Sequence, residues 1–321
     1  KALTMTNALL AQMASAYAAW MPSQLRDWYS EEERFYLATE EMRPQAEHVA
    51  NDEFGAGFRD HLNSIGGPTV EDPLAWANRH VEFADGHWCV AGIRFWGLDP
   101  KKPFVHVVAT SVSPQYDELA PYAAQLHREF ADFAPVAIRF ELPNPPESAD
   151  VDQWIVAGLV SELRASPRRP LSDQVRLIPA APEDMVEYAD DVLGNVVKQT
   201  PDVATWTEAA TLPQLQSCAE TGALYAVEVG GQRAGVIAAA RDDANGMRGF
   251  QVYEFLLDDH ARGRGLAPAA MQHLCDVLPA HPGDTLWGTI HAGNGPSLGN
   301  ALAVGRKKIA AFVWVARRGD L

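Results

Sequence analysis

The segment Tyr253–Ala267 constrains this chain more than any other. Tyr253-Glu254-Phe255-Leu256-Leu257 belongs to a strand that runs into a loop with glycines at 263 and 265, and a helix begins directly after it. Pro268 fits the first turn of that helix, where its missing N–H costs nothing. Backbone amides at a helix start lack intrahelical acceptors and sit at the positive end of the helix dipole. Glycines there let an anion approach the main chain, so the loop reads as a phosphate cradle. No Gly-Lys-Ser/Thr follows, which excludes a nucleotide P-loop, and the acid of a dinucleotide-binding turn is also missing.

The surroundings of the loop give a legible order. Gln174–Pro179 reads as a strand. Glu183–Lys198 reads as a helix, with Met185, Ala189, Val192 and Val196 at helical spacing. Thr205–Glu220 reads as a second helix ending at Gly222. Leu224–Val229 and Arg233–Ala240 are strands joined through Gly230-Gly231, a hairpin turn signal. Gly249–Asp258 is the strand before the cradle and Pro268–Leu278 the helix after it. Thr285–His291, Ser297–Val304 and Lys308–Ala316 follow as strand, helix and strand. Such an order makes a mixed α/β sheet with helices on both faces.

At 321 residues the chain is long enough for two domains. The stiff, polar break Pro167-Arg168-Arg169-Pro170 predicts their boundary, giving domains 1–168 and 169–321. Before the break, Ala8–Trp20 reads as an amphipathic helix, since Gln12, Ser15 and Tyr17 interrupt its apolar run. It lacks the charged start of a signal peptide. His87–Phe95 and Phe104–Ser111 read as strands, Asp117–Phe133 as a helix, Val136–Leu142 as a strand. Val151–Leu163 reads as a helix carrying Trp154, Val156, Leu159 and Val160. Strand, strand, helix, strand, helix repeats the pattern from Arg233 onward, which predicts an internal duplication.

Arg262-x-x-Gly265-x-Ala267 resembles the acetyl-CoA signature of the GNAT superfamily of N-acetyltransferases, an Arg or Gln followed by x-x-Gly-x-Gly/Ala. The strand Glu254–Leu257 is similar to the family strand that ends at the cofactor. Gly288–His291 through Asn294, Ser297 and Gly305 resembles the next strand and the Asn-bearing helix. The resemblance covers nearly all of the second half and implies a tandem acyl-CoA N-acyltransferase (GNAT) fold whose first half is degenerate. It implies that Arg262, Gly263, Arg264, Gly265, Leu266 and Ala267 hold the pyrophosphate of acetyl-CoA or another acyl-CoA. The Leu257 amide would hold the thioester carbonyl, and Asn294, with Ser297, the pantetheine or its neighbouring main chain. Two departures stand out. The tyrosine that the family places seven residues after its Asn is Ala301 here, and the family's Gly-Phe ending is Gly305-Arg306.

An attacking amine must be unprotonated, so a carboxylate that takes its proton is expected. Glu254 is the catalytic candidate; the bland alternative is an edge glutamate. His291 is a second acid or base candidate, against a satisfied structural histidine. Asp258 and Asp259 read as solvated residues that start the turn, and Cys275 as core. In the first half the matching junction, Ser111–Glu118, offers no glycine and carries Asp117 and Glu118, so no cofactor is expected there.

Composition narrows the partners. The net charge of −16 is spread over both halves, which disfavours nucleic acid and favours a cationic acceptor. No apolar run approaches the ~20 residues of a membrane span, and a cytoplasmic protein is expected. Cys89, Cys218 and Cys275 are odd in number and far apart, which argues against disulfides. His87-x-Cys89 has no second pair at metal spacing, so no metal is expected. The reading is acyl transfer, most simply acetyl, from CoA to the primary amine of a small molecule in a ternary complex. The alternatives are a non-catalytic acyl-CoA sensor and an enzyme acting on protein or peptide amines. Oligomeric state is left open.

Overall fold

The structure, a computed structural model, describes residues 2–318. Its helices are α1 (Ala2–Trp20), α2 (Ser23–Trp28), α3 (Glu31–Glu47), α4 (Asp52–Ser64), α5 (Pro73–Trp76), α6 (Ala120–Glu129), α7 (Val160–Ala165), α8 (Pro182–Gln199), α9 (Leu212–Glu220), α10 (Ala267–Val277) and α11 (Gly295–Ala303). Its strands are β1 (Arg79–Glu82), β2 (Trp88–Phe95), β3 (Pro103–Thr110), β4 (Ile138–Pro143), β5 (Asp150–Leu159), β6 (Val175–Pro179), β7 (Leu224–Val229), β8 (Gln232–Arg241), β9 (Gly249–Leu257), β10 (Thr285–His291) and β11 (Lys307–Val315). Two compact units result. The first takes the chain up to Trp154 and again from Ile309 onward; the second is Ile155–Lys308.

In the first unit the strand order is β1-β2-β3-β4-β11, with β3 and β4 parallel and the other pairs antiparallel. Chain-terminal β11 therefore completes this sheet, and its Ala311, Val313 and Val315 join the core of Ile138, Phe140 and Leu142. The expected division at 168/169 differs from this one. Pro167–Pro170 is no free linker: buried Gln272 of α10 donates to Ser166 O at 3.2 Å and Pro167 O at 3.1 Å, and accepts from Arg169 N at 2.9 Å.

The expected helix over 151–163 is a strand to Leu159 and then the short α7. Ile155, Val156 and Ala157 are all fully buried, so the strand is covered on both faces. Such a strand loses its two-residue alternation, and its apolar residues fall at helix-like spacing by chance. Likewise α9 starts only at Leu212, with Thr211 and Gln214 closing a capping box, and Pro201–Thr205 is a separate 3₁₀ turn. The helix over 117–133 shortens to Ala120–Glu129 between two 3₁₀ turns.

In the second unit the order is β5-β10-β9-β8-β7-β6. Strands β6 to β9 pair antiparallel, and β10 runs parallel to β9. One face packs Met185, Ala189, Leu215 and Cys218 of α8 and α9. The other packs Met271, Leu274 and Cys275 of α10. Gly230 and Gly231 have φ of 60° and 79°, as the β7–β8 hairpin requires. Among the described residues no helix is long and apolar enough to cross a membrane.

Both units share one irregularity. In the second, the β8–β9 register slips between Ala238 and Ala239, leaving Tyr253 as an extra residue, and β9–β10 pairing stops at Gln251↔Trp287. In the first, the β2–β3 register slips between Val90 and Ala91, leaving Val108 extra, and β3–β4 pairing stops at His106↔Arg139. Each bulge lies two residues beyond the last parallel pair, and past that point the parallel strands separate. This shared register supports the expected duplication.

Candidate functional site

The β9–α10 loop is held by its own backbone and by α8. Asp258 O accepts from Ala261 N and Arg262 N, closing the first turn. The Asp258 carboxylate accepts from Tyr188 Oη at 2.6 Å, and Asp259 accepts from Gln199 Nε2 at 2.9 Å and pairs with Arg262. These aspartates are thus loop anchors as well as turn starters. Burial and the bond to Asp258 push the Tyr188 phenol up, so it stays a donor. Ala261 and Leu266 are buried and fix the loop to the α10 side of the core.

Between those anchors the backbone opens. Gly263 and Gly265 have φ of 71° and 76°, with residues of negative φ between and after them, and a Cβ on either would meet nothing within 4 Å. The glycines are needed for conformation, and the space above them is clear. No side chain caps α10, so its first-turn amides keep their donors. Free amide donors beneath open space are what an anion needs. Arg262, turned onto Asp259, supports the loop; Arg264 is exposed, with Nη1 donating to His260 O at 3.3 Å.

Leu257 ends β9 opposite Gly235. Asp258 N donates to Ala234 O, so alternation turns the Leu257 amide away from β8, to the side where β10 has separated. That amide faces the fork between β9 and β10.

The bulge at Tyr253 places Glu254 on the α8–α9 face, opposite the side chain of Leu257. Glu254 is 7% exposed. It accepts from Ala210 N at 2.8 Å and Phe255 N at 3.0 Å. Burial dominates these two bonds, and its carboxyl is pushed up to about 7, with Asp190 adding to the rise. His291 ends β10, and its Nδ1 accepts from Gly293 N at 3.1 Å, which assigns the neutral ring's proton to Nε2. The ring lies against Trp206, with centroids 4.8 Å apart. One loop therefore touches both candidates, Trp206 on His291 and Ala210 on Glu254. The expected helix over Thr205–Glu220 includes Trp206, which instead lies ahead of α9; a lone indole before the Pro213 helix start is the signal for it.

Asn294 is the N-cap of α11, its Oδ1 accepting from Ser297 N at 3.2 Å. The two are thus bonded to each other, and their role in this structure is to start the helix. Ala301 is fully buried, so the family's tyrosine position lies in the core. All three cysteines are free and buried, each thiol pushed by burial to about 12. His87 bonds Ser111 Oγ through Nδ1. Among the described residues no group of three or more His, Cys, Asp or Glu could hold a metal ion.

The corresponding fork of the first unit is built differently. Val112 stands where Leu257 does, counting from the bulge, and its carbonyl accepts from Trp20 Nε1 of α1 at 2.9 Å. Tyr17 and Trp20 of α1, with Met21 just after it, face Val108, Thr110 and Glu141 across a cavity of about 30 Å³. Helix α1 thus roofs this fork, and no glycine opens the junction that follows it.

No family model matches the chain, and no curated protein matches it. Solved structures do. The chain is similar to the GCN5-related N-acetyltransferase from Sphaerobacter thermophilus, at 13% identity over 75% of this chain and 82% of that one, TM-score 0.43. A GNAT-family acetyltransferase from Colwellia psychrerythraea matches at 10% identity over 81% and 96%, TM-score 0.45. A tandem GNAT protein from the clavulanic acid biosynthesis pathway matches at 13% identity over 85% and 98%, TM-score 0.37. The likeness is one of backbone, at identities too low to carry residues across.

Proposed function

We propose that the second unit is an N-acyltransferase that moves an acyl group, most simply acetyl, from a CoA thioester to the primary amine of a small molecule. The observation that carries this reading is the fork. An outward-turned amide at Leu257 lies at one end of it, and the Gly263–Ala267 cradle continues from that strand into α10. Acetyl-CoA is the donor this arrangement suits. Bound there, its thioester supplies the electrophilic carbonyl. The cradle amides hold the diphosphate, and the Leu257 amide donates to the carbonyl oxygen as it gains charge. Glu254 accepts the proton from the attacking ammonium, directly or through one water, and a carboxyl poised near 7 suits that task. With Ala301 in place of a phenol, water protonates the departing thiolate.

The acidic balance of the chain favours a cationic acceptor, and three reduced, buried cysteines suit a cytoplasmic setting. The test is thiol release from acetyl-CoA with polyamines, aminoglycosides, amino acids and peptides as acceptors. Release with small amines supports the reading. Release with peptides alone moves the acceptor to protein. Tight acetyl-CoA binding without release under any acceptor leaves an acyl-CoA sensor, the reading that the buried Ala301 favours.

A further inference from the structure

Arg306 stands where the family pattern has phenylalanine, and the structure gives it no counter-ion. It follows Gly305 at the end of α11, is 5% exposed, and its Nε is buried without a hydrogen-bond partner. Among the described residues no carboxylate pairs with it. Its surroundings are Cys275 of α10 and two strand glycines. A Cβ at Gly288 would lie 3.8 Å from Arg306 Nη1, and one at Gly158 would lie 3.5 Å from Arg306 Cα. The missing side chains on β10 and β5 make room for the arginine.

Its tip lies at the vertex of the fork. Gly288 directly follows Trp287, the last β10 residue paired with β9, and the same Gly288 Cβ would lie 4.0 Å from Val252 O, one residue past Gln251. A guanidinium removed from water without a partner is costly. Burial pulls it down to about 10, still charged at any physiological pH. Such a charge calls for an anion in the working state. The diphosphate cannot serve, because Cys275 lies eight residues along α10 from Ala267, roughly 12 Å at helical rise. An acyl-CoA held by the cradle and laid along β9 directs its acyl end toward this vertex.

We propose that Arg306 receives a carboxylate at the vertex of the β9–β10 fork, carried by the acyl group of the donor, as in succinyl-CoA. The inference rests on the acyltransfer reading of the second unit. A carboxylate borne by the acceptor amine is the other source of the same chemistry.

Calorimetry of the full chain with acetyl-CoA and succinyl-CoA, on wild type, Arg306→Met and Arg306→Lys, tests this. A charge-assisted pair predicts ~10-fold or greater preference for succinyl-CoA in wild type, reduced to about one in Arg306→Met and partly kept in Arg306→Lys. Arg306→Met should also melt higher than wild type without ligand, since it removes an unpaired buried charge; a merely structural arginine would lower it. If the donors bind alike, thiol release with glutamate and its amide as acceptors reads the second source. A glutamate KM that rises ~10-fold or more in Arg306→Met, with the amide unaffected, assigns the carboxylate to the acceptor. Acetyl-CoA binding with no change in either arm overturns the inference. If no CoA thioester binds folded wild type, the transferase reading falls. Free succinate then decides for Arg306, supporting it by raising the wild-type melting temperature and not that of Arg306→Met, and overturning it otherwise.

Discussion

The indole of Trp206 lies flat on the imidazole of His291, 4.8 Å between ring centres and 6° between planes. Four residues later, Ala210 N donates to Glu254 at 2.8 Å. The loop before α9 thus ties together the ends of β9 and β10 that the fork separates. Trp206→Ala should loosen both candidates at once. The amine KM should rise and the turnover number fall, together by ~10-fold or more, as expected when positioning is lost. Steady-state kinetics check this, and unchanged constants would make the stack a packing contact.

The cradle is tested at Gly265. Its φ of 76° disfavours any side chain, and the space around its Cα is open. Gly265→Asp should keep the fold, losing about 1–2 kcal/mol of stability to the left-handed backbone. It should abolish acetyl-CoA binding, because a carboxylate then stands where a diphosphate must pass. Calorimetry with circular dichroism reads both.

Acetyl-CoA should bind once per chain. The first unit keeps the fork, but Trp20 Nε1 already donates to Val112 O and α1 lines the gap. A calorimetric stoichiometry near two would show that α1 gives way.

Much of the second unit was legible in the sequence. The hairpin at Gly230-Gly231 and the glycine loop need backbone conformations that few residues adopt, so their positions could be read directly. Other features were not legible. The segment after Asp150 hid a strand, because full burial of Ile155–Ala157 erases alternation. The place of β11 depends on which β-edge its Ala311, Val313 and Val315 meet, and composition is silent on that. Trp206 was hidden because stacking on His291 is a contact across 85 residues. Glu254 could be placed on its face by alternation, but its two backbone donors could not be foreseen.

Gln272 should matter more than a buried polar residue on a helix suggests. It bonds Ser166 O, Pro167 O and Arg169 N, fastening the proline-rich stretch to α10. Gln272→Leu keeps the volume and leaves three backbone groups without it. The expected loss is about 1–3 kcal/mol, since each of these half-buried bonds contributes about 0.5–1.5 kcal/mol net. Denaturant unfolding measures it, and a loss below about 0.5 kcal/mol would show that solvent already satisfies the stretch.

Glu254 links activity and stability through one ionisation. Its carboxyl rises from 4.5 to about 7 in the folded chain, chiefly through burial. For turnover, the base form appears as pH rises through about 7, so the wild-type rate should climb there. Glu254→Gln should lower the turnover number by ~10²-fold or more and lose that limb, with acetyl-CoA affinity little changed. No alkaline limb from a phenol is expected, since Ala301 occupies that position. For stability the sign is opposite. A raised carboxyl favours folding in its protonated form, so its contribution is complete below 4.5 and is lost as pH rises through about 7. Unfolding free energies measured from pH 5 to 8 should therefore shift in favour of Glu254→Gln as pH increases. A variant that keeps the wild-type rate and pH profile would move the base to His291 or to water. The cradle would still stand, because Gly263–Ala267 does not depend on Glu254.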